Sequence, residues 1–238
     1  MSFIEFNGKK SNDFNLILEP NLTFNSPSRS MEFEKIAGKD GEVAVGDGTF
    51  SNGTKSFPFN LLPQKNSSVE KISTEISNWL KKDSLWHDLY FDGEPEYVYQ
   101  ALHYEEYDLE RVLSHYGKCV LKFTIKPYKF LKTGLVETPL PSSFSNKTNR
   151  NARPKITVRG AGDITVKIGK QSLNLKGVDE GIIIDSLYET VTSLDGKRPL
   201  WSKVTSYPLP VIEPGTQTVI VSGTTTDIKV IPRWEVVV

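Results

Sequence analysis

Apolar and polar residues alternate with a period of two along much of the chain. Phe14, Leu16 and Leu18 alternate with Asn15, Ile17 and Glu19, and Phe57, Phe59 and Leu61 share one face. Cys119, Leu121, Phe123 and Ile125 oppose Lys118, Lys122 and Lys126, and Ile164, Val166 and Ile168 alternate with Thr165 and Lys167. This period is that of a strand with one face buried. The runs are punctuated by Asn7-Gly8, Asp40-Gly41, Asp47-Gly48, Asn52-Gly53, Asp92-Gly93 and Asp195-Gly196. Such dipeptides supply the positive φ that reverses a strand, so the pattern predicts antiparallel sheets. Pro58, which lacks an N–H, predicts an edge or a bulge in its strand.

One segment follows a different period. From Ser67 to Lys82, Val69, Ile72, Ile76, Trp79 and Leu80 recur at helical spacing. Ser67 with Glu70 forms a capping box, and Lys81 and Lys82 suit the negative end of the helix dipole. Its polar face of Ser, Asn and Glu indicates packing on a sheet. From Leu135 to Pro154, Pro139, Pro141 and Pro154 frame Ser, Asn and Thr, the composition of a linker or a long crossover. Strand signals then resume through Ile182-Ile183-Ile184, Val219-Ile220-Val221 and the terminal Val236-Val237-Val238, with no helix signal. Arg159-Gly-Ala-Gly-Asp163 reads as a turn ahead of the Ile164 strand. The division predicted is an N-terminal domain over 1–134, a linker over 135–153 and a β-sandwich over 154–238.

Charge changes this picture locally. The 238 residues carry 29 bases and 29 acids, so net charge gives no push toward nucleic acid or membrane. The signs are nonetheless segregated: Asp83 to Glu110 holds nine acids and no Lys or Arg, and Arg111 to Lys132 holds six bases and no acid. With a turn at Ser114–Gly117, this predicts a long hairpin with oppositely charged strands, or two stripes that meet across a subunit boundary.

The candidate chemistry is sparse. Cys119 is the sole cysteine and falls on an apolar face, which makes it a packing residue. His87, His103 and His115 are scattered, and a His103/Glu105 pair on one strand face is a weak metal signal beside a solvated face. No zinc motif, nucleophile elbow, phosphate loop or dinucleotide fingerprint occurs. The expectation is therefore no catalytic, metal or cofactor-binding residue, no cofactor and no enzyme. Neither a signal peptide nor a stretch of membrane-spanning length is visible, so synthesis and folding in a reducing cytosol without membrane insertion is expected.

Ile36-Ala-Gly-Lys-Asp-Gly41, between two strand-like runs, resembles the N-terminal signature of the siphophage distal tail (Dit) proteins. So does the order of further markers: Phe3–Phe6 with Asn7-Gly8, the lone helix, Cys119–Ile125 leading into Lys126-Pro127-Tyr128, Pro154–Val158, Gly162–Val166, Ile183–Ser186, Pro214-Gly215 and Arg233-Trp234. Lys39 stands where arginine is more usual in that family. The resemblance implies a mainly β protein: an N-terminal β-sandwich-like domain with one α-helix, and a C-terminal galectin-like β-sandwich. It places the chain among compact members without an inserted carbohydrate-binding module. It further implies a structural hub at the virion tail tip, a homohexameric ring joining the tail tube protein to tail-tip, baseplate or receptor-binding proteins. DNA would pass through the bore without specific binding. The alternative reading is a free carbohydrate-binding protein that uses the C-terminal sandwich, with Trp201 and Tyr207 stacking on sugar.

Overall fold

The computed structural model describes residues 2–64, 67–113 and 115–238, and the chain is mainly β. It divides into two compact units, Met1–Lys129 with Val237–Val238, and Phe130–Val236. The turn expected at Ser114–Gly117 begins outside the described residues.

The first unit contains β1 (Ile4–Phe6), β2 (Lys9–Lys10), β3 (Leu16–Leu18), β4 (Arg29–Lys35), β5 (Glu42–Phe50) and β6 (Gly53–Leu61). Helix α1 (Val69–Leu80), β7 (His87–Phe91), β8 (Tyr97–Leu102), β9 (Leu109–Leu113) and the long β10 (Tyr116–Leu131) follow. The main sheet runs β2-β1-β7-β8-β10-β6-β3, with β9 also on β10. Cys119, Leu121, Phe123 and Ile125 of β10 are buried and Lys118, Lys122 and Lys126 exposed, as the alternation predicts. Pro58 lies opposite Val120 in register, and β3 ends at Leu18, opposite Phe59. The missing N–H of Pro58 thus falls at the end of the β3–β6 ladder, where the Pro58 carbonyl still accepts from the Glu19 N–H at 2.9 Å.

Helix α1 covers the inner face. Val69, Ile72, Ile76, Trp79 and Leu80 are buried, each burial worth about 1.5–3 kcal/mol. Trp79 stacks on Phe14 at 4.7 Å between ring centroids, and its Nε1–H donates to the Phe6 carbonyl at 2.7 Å. The cap is Ser68, one residue later than the sequence suggests: its hydroxyl accepts from the Lys71 N–H at 3.3 Å.

The second unit contains β11 (Thr138–Pro139), β12 (Ser143–Asn146), β13 (Lys155–Ile168), β14 (Gln171–Val178), β15 (Gly181–Asp185), β16 (Thr190–Thr192) and β17 (Gly215–Ile231). The closing strand β18 (Glu235–Val237) pairs with β10. The second sheet runs β11-β17-β13-β15-β16, with β12 on β17 and β14 on β13. Its core takes Ile156, Val158, Ile164, Val166, Ile168, Leu173, Leu175, Ile182 and Ile184.

Three expectations need correction here. The stretch 135–153 is no free linker: β11 and β12 pair with β17, Phe144 is buried, and Asn146 Nδ2 donates to the Arg150 and Ile212 carbonyls at 2.8 and 3.0 Å. A Ser/Asn/Thr-rich segment can satisfy its own backbone and still contribute one apolar anchor. The segment Arg159–Asp163 lies inside β13 as a bulge, with register shifts against β17 and Gly162 at φ +82°, so the strand continues through it. The acidic stretch does not form one hairpin with the basic one. Its first part makes the β7–β8 hairpin, and β8 and the short β9 each lie on β10, β9 placing Glu110 opposite Lys118.

Candidate assembly surface

The segment that carries the Ile36–Gly41 turn is a two-stranded ribbon outside both main sheets. Among the described residues, β4 and β5 pair only with each other. Their registers place Met31 opposite Gly46, Phe33 opposite Ala44 and Lys35 opposite Glu42 on one face. On the other face Glu32 lies opposite Val45 and Glu34 opposite Val43. The tip is a six-residue loop closed by the Lys39 N–H on the Ile36 carbonyl at 3.2 Å, with positive φ at Gly38 and Gly41. Asp47-Gly48 forms no turn: it sits inside β5, where the Asp47 carboxylate accepts from the Thr49 N–H and hydroxyl. At the base, the Arg29 guanidinium lies 4.8 Å from the Phe50 ring, which meets Tyr128 edge-on.

The ribbon buries almost nothing. Phe33 is 64% exposed, Met31 46%, Val45 47% and Val43 37%. A lone two-stranded ribbon in water is marginal, and apolar residues displayed on both of its faces mark a contact surface. The sequence could not show this, since its alternation matches that of a strand with a core behind it.

Below the ribbon's root lies a buried charge cluster. Lys55 Nζ lies 2.6 Å from Glu94 Oε2 and 2.9 Å from the Tyr99 hydroxyl; Lys129 Nζ lies 2.9 Å from Glu94 Oε1. The Phe24 ring sits 4.8 Å from Lys55 Nζ over a cavity of about 160 Å³. Burial alone would push the Glu94 carboxyl up, but donation from Lys55, Tyr99 and Lys129 overrides it and holds the pKa at about 2. Burial lowers the Lys55 pKa, an effect that Glu94 opposes, and burial with the adjacent carboxylate raises that of Tyr99. Each charge of the cluster has a partner, so the cluster ties β6, β8 and β10 to one another.

The candidates from sequence fall apart in space. His103 follows β8 and is buried, with both ring nitrogens unpartnered between Tyr107 and Phe123, while Glu105 is exposed. His87 Nε2 meets Asp83 at 2.7 Å, and His115 lies in an exposed turn. Among the described residues no three His, Cys, Asp or Glu side chains are placed to hold a metal. Cys119 is buried and its pKa pushed up to about 12 by that burial. In the second unit, Trp201 and Tyr207 are exposed, and neither lines the cleft beside β15. That cleft, about 370 Å³, is bordered by Asp179, Glu180, Asp195, Arg198 and Lys203.

No protein-family model matches the chain, and no curated protein matches it. Solved structures do match over its whole length. The Dit protein (gp 19.1) of phage SPP1, described as a paradigm of the hub adsorption apparatus of phages that infect Gram-positive hosts, aligns with a TM-score of 0.72 and 15% identity. The alignment covers 97% of each chain. The chain has the fold of a phage distal tail protein. A chain of the phage p2 baseplate, solved in its activated conformation with Sr, aligns with a TM-score of 0.54 and 10% identity over 96% of this chain and 98% of that one. Both units are included in these alignments, so the Dit fold extends to the second sheet as well as the first. No helix among the described residues is long and apolar enough to cross a membrane.

Proposed function

We propose that this protein is the structural hub of a long, non-contractile phage tail. In this reading the first unit forms a ring, six copies closing head to tail below the tail tube protein. The second unit, as a galectin-like sandwich, presents the tail-tip, baseplate or receptor-binding proteins. The observation that supports it most is the full-length likeness to a hub protein. The unpartnered ribbon agrees with it, because a head-to-tail contact needs one surface that complements another on the same chain. A bore that passes DNA must not retain phosphate, so acidic side chains of the 83–110 region are expected to line it.

Electron microscopy of the purified chain, alone and with isolated tail tubes, tests the proposal. Six-fold rings, alone or capping the tubes, are expected. Failure to bind tubes, together with tryptophan-dependent sugar binding by a monomer on a glycan array with Trp201→Ala as control, would overturn it in favour of a free lectin.

A further inference from the structure

The second unit holds a cleft that the hub reading does not use. It lies between the β14–β15 turn, residues 178–182, and the loop 193–203. It encloses about 370 Å³, within the range of about 300–1,000 Å³ usual for small-molecule sites. Both walls are fixed by their own hydrogen bonds. In the loop, the Ser193 N–H donates to the Arg198 carbonyl at 2.9 Å and the Arg198 N–H donates to the Ser193 hydroxyl at 3.1 Å. Lys203 Nζ donates to the Gly177 carbonyl at 2.7 Å and ties the loop to the opposite wall. A Cβ on Gly181 would fall 2.5 Å from the Val158 carbonyl and 3.0 Å from Leu194, so turn and loop are seated directly against each other. Beside it Glu180 is held at φ +62°, a left-handed conformation that residues other than glycine rarely adopt. Strain of this kind concentrates at binding sites.

The lining has two chemistries. Val178 and Ile182 are buried, and Leu194 and Leu200 are half-buried. Beside these apolar groups stand three carboxylates, Asp179, Glu180 and Asp195, and two cations, Arg198 and Lys203. Asp195 is engaged by the Ser193 hydroxyl and the Lys197 N–H. Among the described residues, the carboxylates of Asp179 and Glu180 and the guanidinium of Arg198 are exposed and make no hydrogen bond or ion pair. These charges select a ligand by class. An anion meets three carboxylates, and a cation meets the Arg198 guanidinium and the Lys203 ammonium. A neutral ligand with neighbouring hydroxyls meets neither repulsion, since a hydroxyl donates to a carboxylate and accepts from a guanidinium.

We infer that this cleft binds a neutral sugar residue of a glycan. The planar fork of Arg198 donates to two adjacent ring hydroxyls, Asp179 and Glu180 accept from hydroxyls, and Leu194 and Leu200 pack on the C–H groups of the ring. Trp201 and Tyr207 lie outside the cleft and take no part. The site goes beyond the hub reading and does not depend on ring formation.

Binding of the full chain to an array of neutral and charged oligosaccharides, followed by calorimetric titration of a bound neutral one, tests the site. Arg198→Ala and the pair Asp179→Asn/Glu180→Gln are each expected to weaken binding roughly tenfold or more. Arg198→Lys should weaken it in part, because lysine keeps the charge and loses the fork. Trp201→Ala should bind as the wild type does. All four positions are exposed, so thermal unfolding should be unchanged and separates lost contacts from lost folding. A wild type that binds no neutral glycan at millimolar concentration, or that prefers charged ones, would overturn the site. So would binding that Trp201→Ala abolishes and Arg198→Ala leaves intact. Ring formation and tube binding are read separately, so the cleft can fail with the hub reading intact.

Discussion

Replacing Glu94 by glutamine keeps the shape of the side chain and removes the charge that holds Lys55 and Lys129. The side chain of Lys55 is 7% exposed and that of Lys129 13%, so both ammoniums lose their counter-ion in a nearly dry site. Holding the carboxyl at about 2 instead of its ordinary 4.5 corresponds to about 3 kcal/mol, at about 1.36 kcal/mol for each tenfold change in proton affinity. Glu94 itself keeps 19% of its side-chain exposure, and solvent screening trims the expected loss at neutral pH to about 2 kcal/mol. Because the folded-state pKa is depressed, the stabilisation is fully present above about 4.5 and is lost as pH falls toward about 2. Urea unfolding should therefore show the wild type losing stability through this window, and Glu94→Gln losing much less there after starting lower. Hydrogen exchange on peptides from β6, β8 and β10 assigns the transition to the first unit. Adding Lys55→Met should recover part of the loss, since removing both partners leaves no unpaired buried charge at that position. A Glu94→Gln chain within about 0.5 kcal/mol of wild type at neutral pH, or one with the wild-type acid profile, would refute the assignment.

His103→Phe is expected to stabilise the first unit by about 1 kcal/mol, because it removes two buried, unpartnered nitrogens while keeping an aromatic ring against Phe123. Burial, with Lys81 adding to it and Glu105 opposing, keeps the folded-state pKa of His103 below the usual 6.5. The wild type should accordingly lose stability as pH falls below about 6.5, and thermal unfolding of the Phe variant should lack that component. Cys119, buried with its pKa near 12, should not react with a thiol reagent in the native chain and should react fully in urea. Trp79→Phe should cost roughly 1–3 kcal/mol of first-unit stability by leaving the buried Phe6 carbonyl without its indole donor, measurable by urea unfolding. Arg233→Ala should destabilise the second unit by about 3 kcal/mol, since Asp185, to which both of its guanidinium nitrogens donate, is itself buried.

Much of the local structure was legible in the residues because it depends on near neighbours. The two faces of β10 follow from a period of two, and helix α1 follows from apolar spacing and a serine cap, although the choice of Ser68 over Ser67 depended on which hydroxyl the backbone brought within reach of the Lys71 N–H. The domain boundary was less legible. Proline and serine content cannot tell a linker from a segment whose one apolar residue, Phe144, finds a core. The Lys55–Glu94–Lys129 cluster joins residues 39 and 35 positions apart, and nothing local marks Glu94 among nine acids in its stretch as the one that would pair with both lysines.

By itself, then, the sequence determined the faces of the regular strands, where the α-helix lies and that it carries no recognisable catalytic motif, since periodicity, capping and motif spacing are properties of adjacent residues. Only the tertiary structure decided what lies behind each apolar face. Met31, Phe33, Val43 and Val45 alternate as core-facing strand residues do, yet β4 and β5 meet no third strand among the described residues and remain exposed. Alternation sets the direction of a side chain, whereas burial requires a second surface brought there by distant parts of the chain or by another molecule.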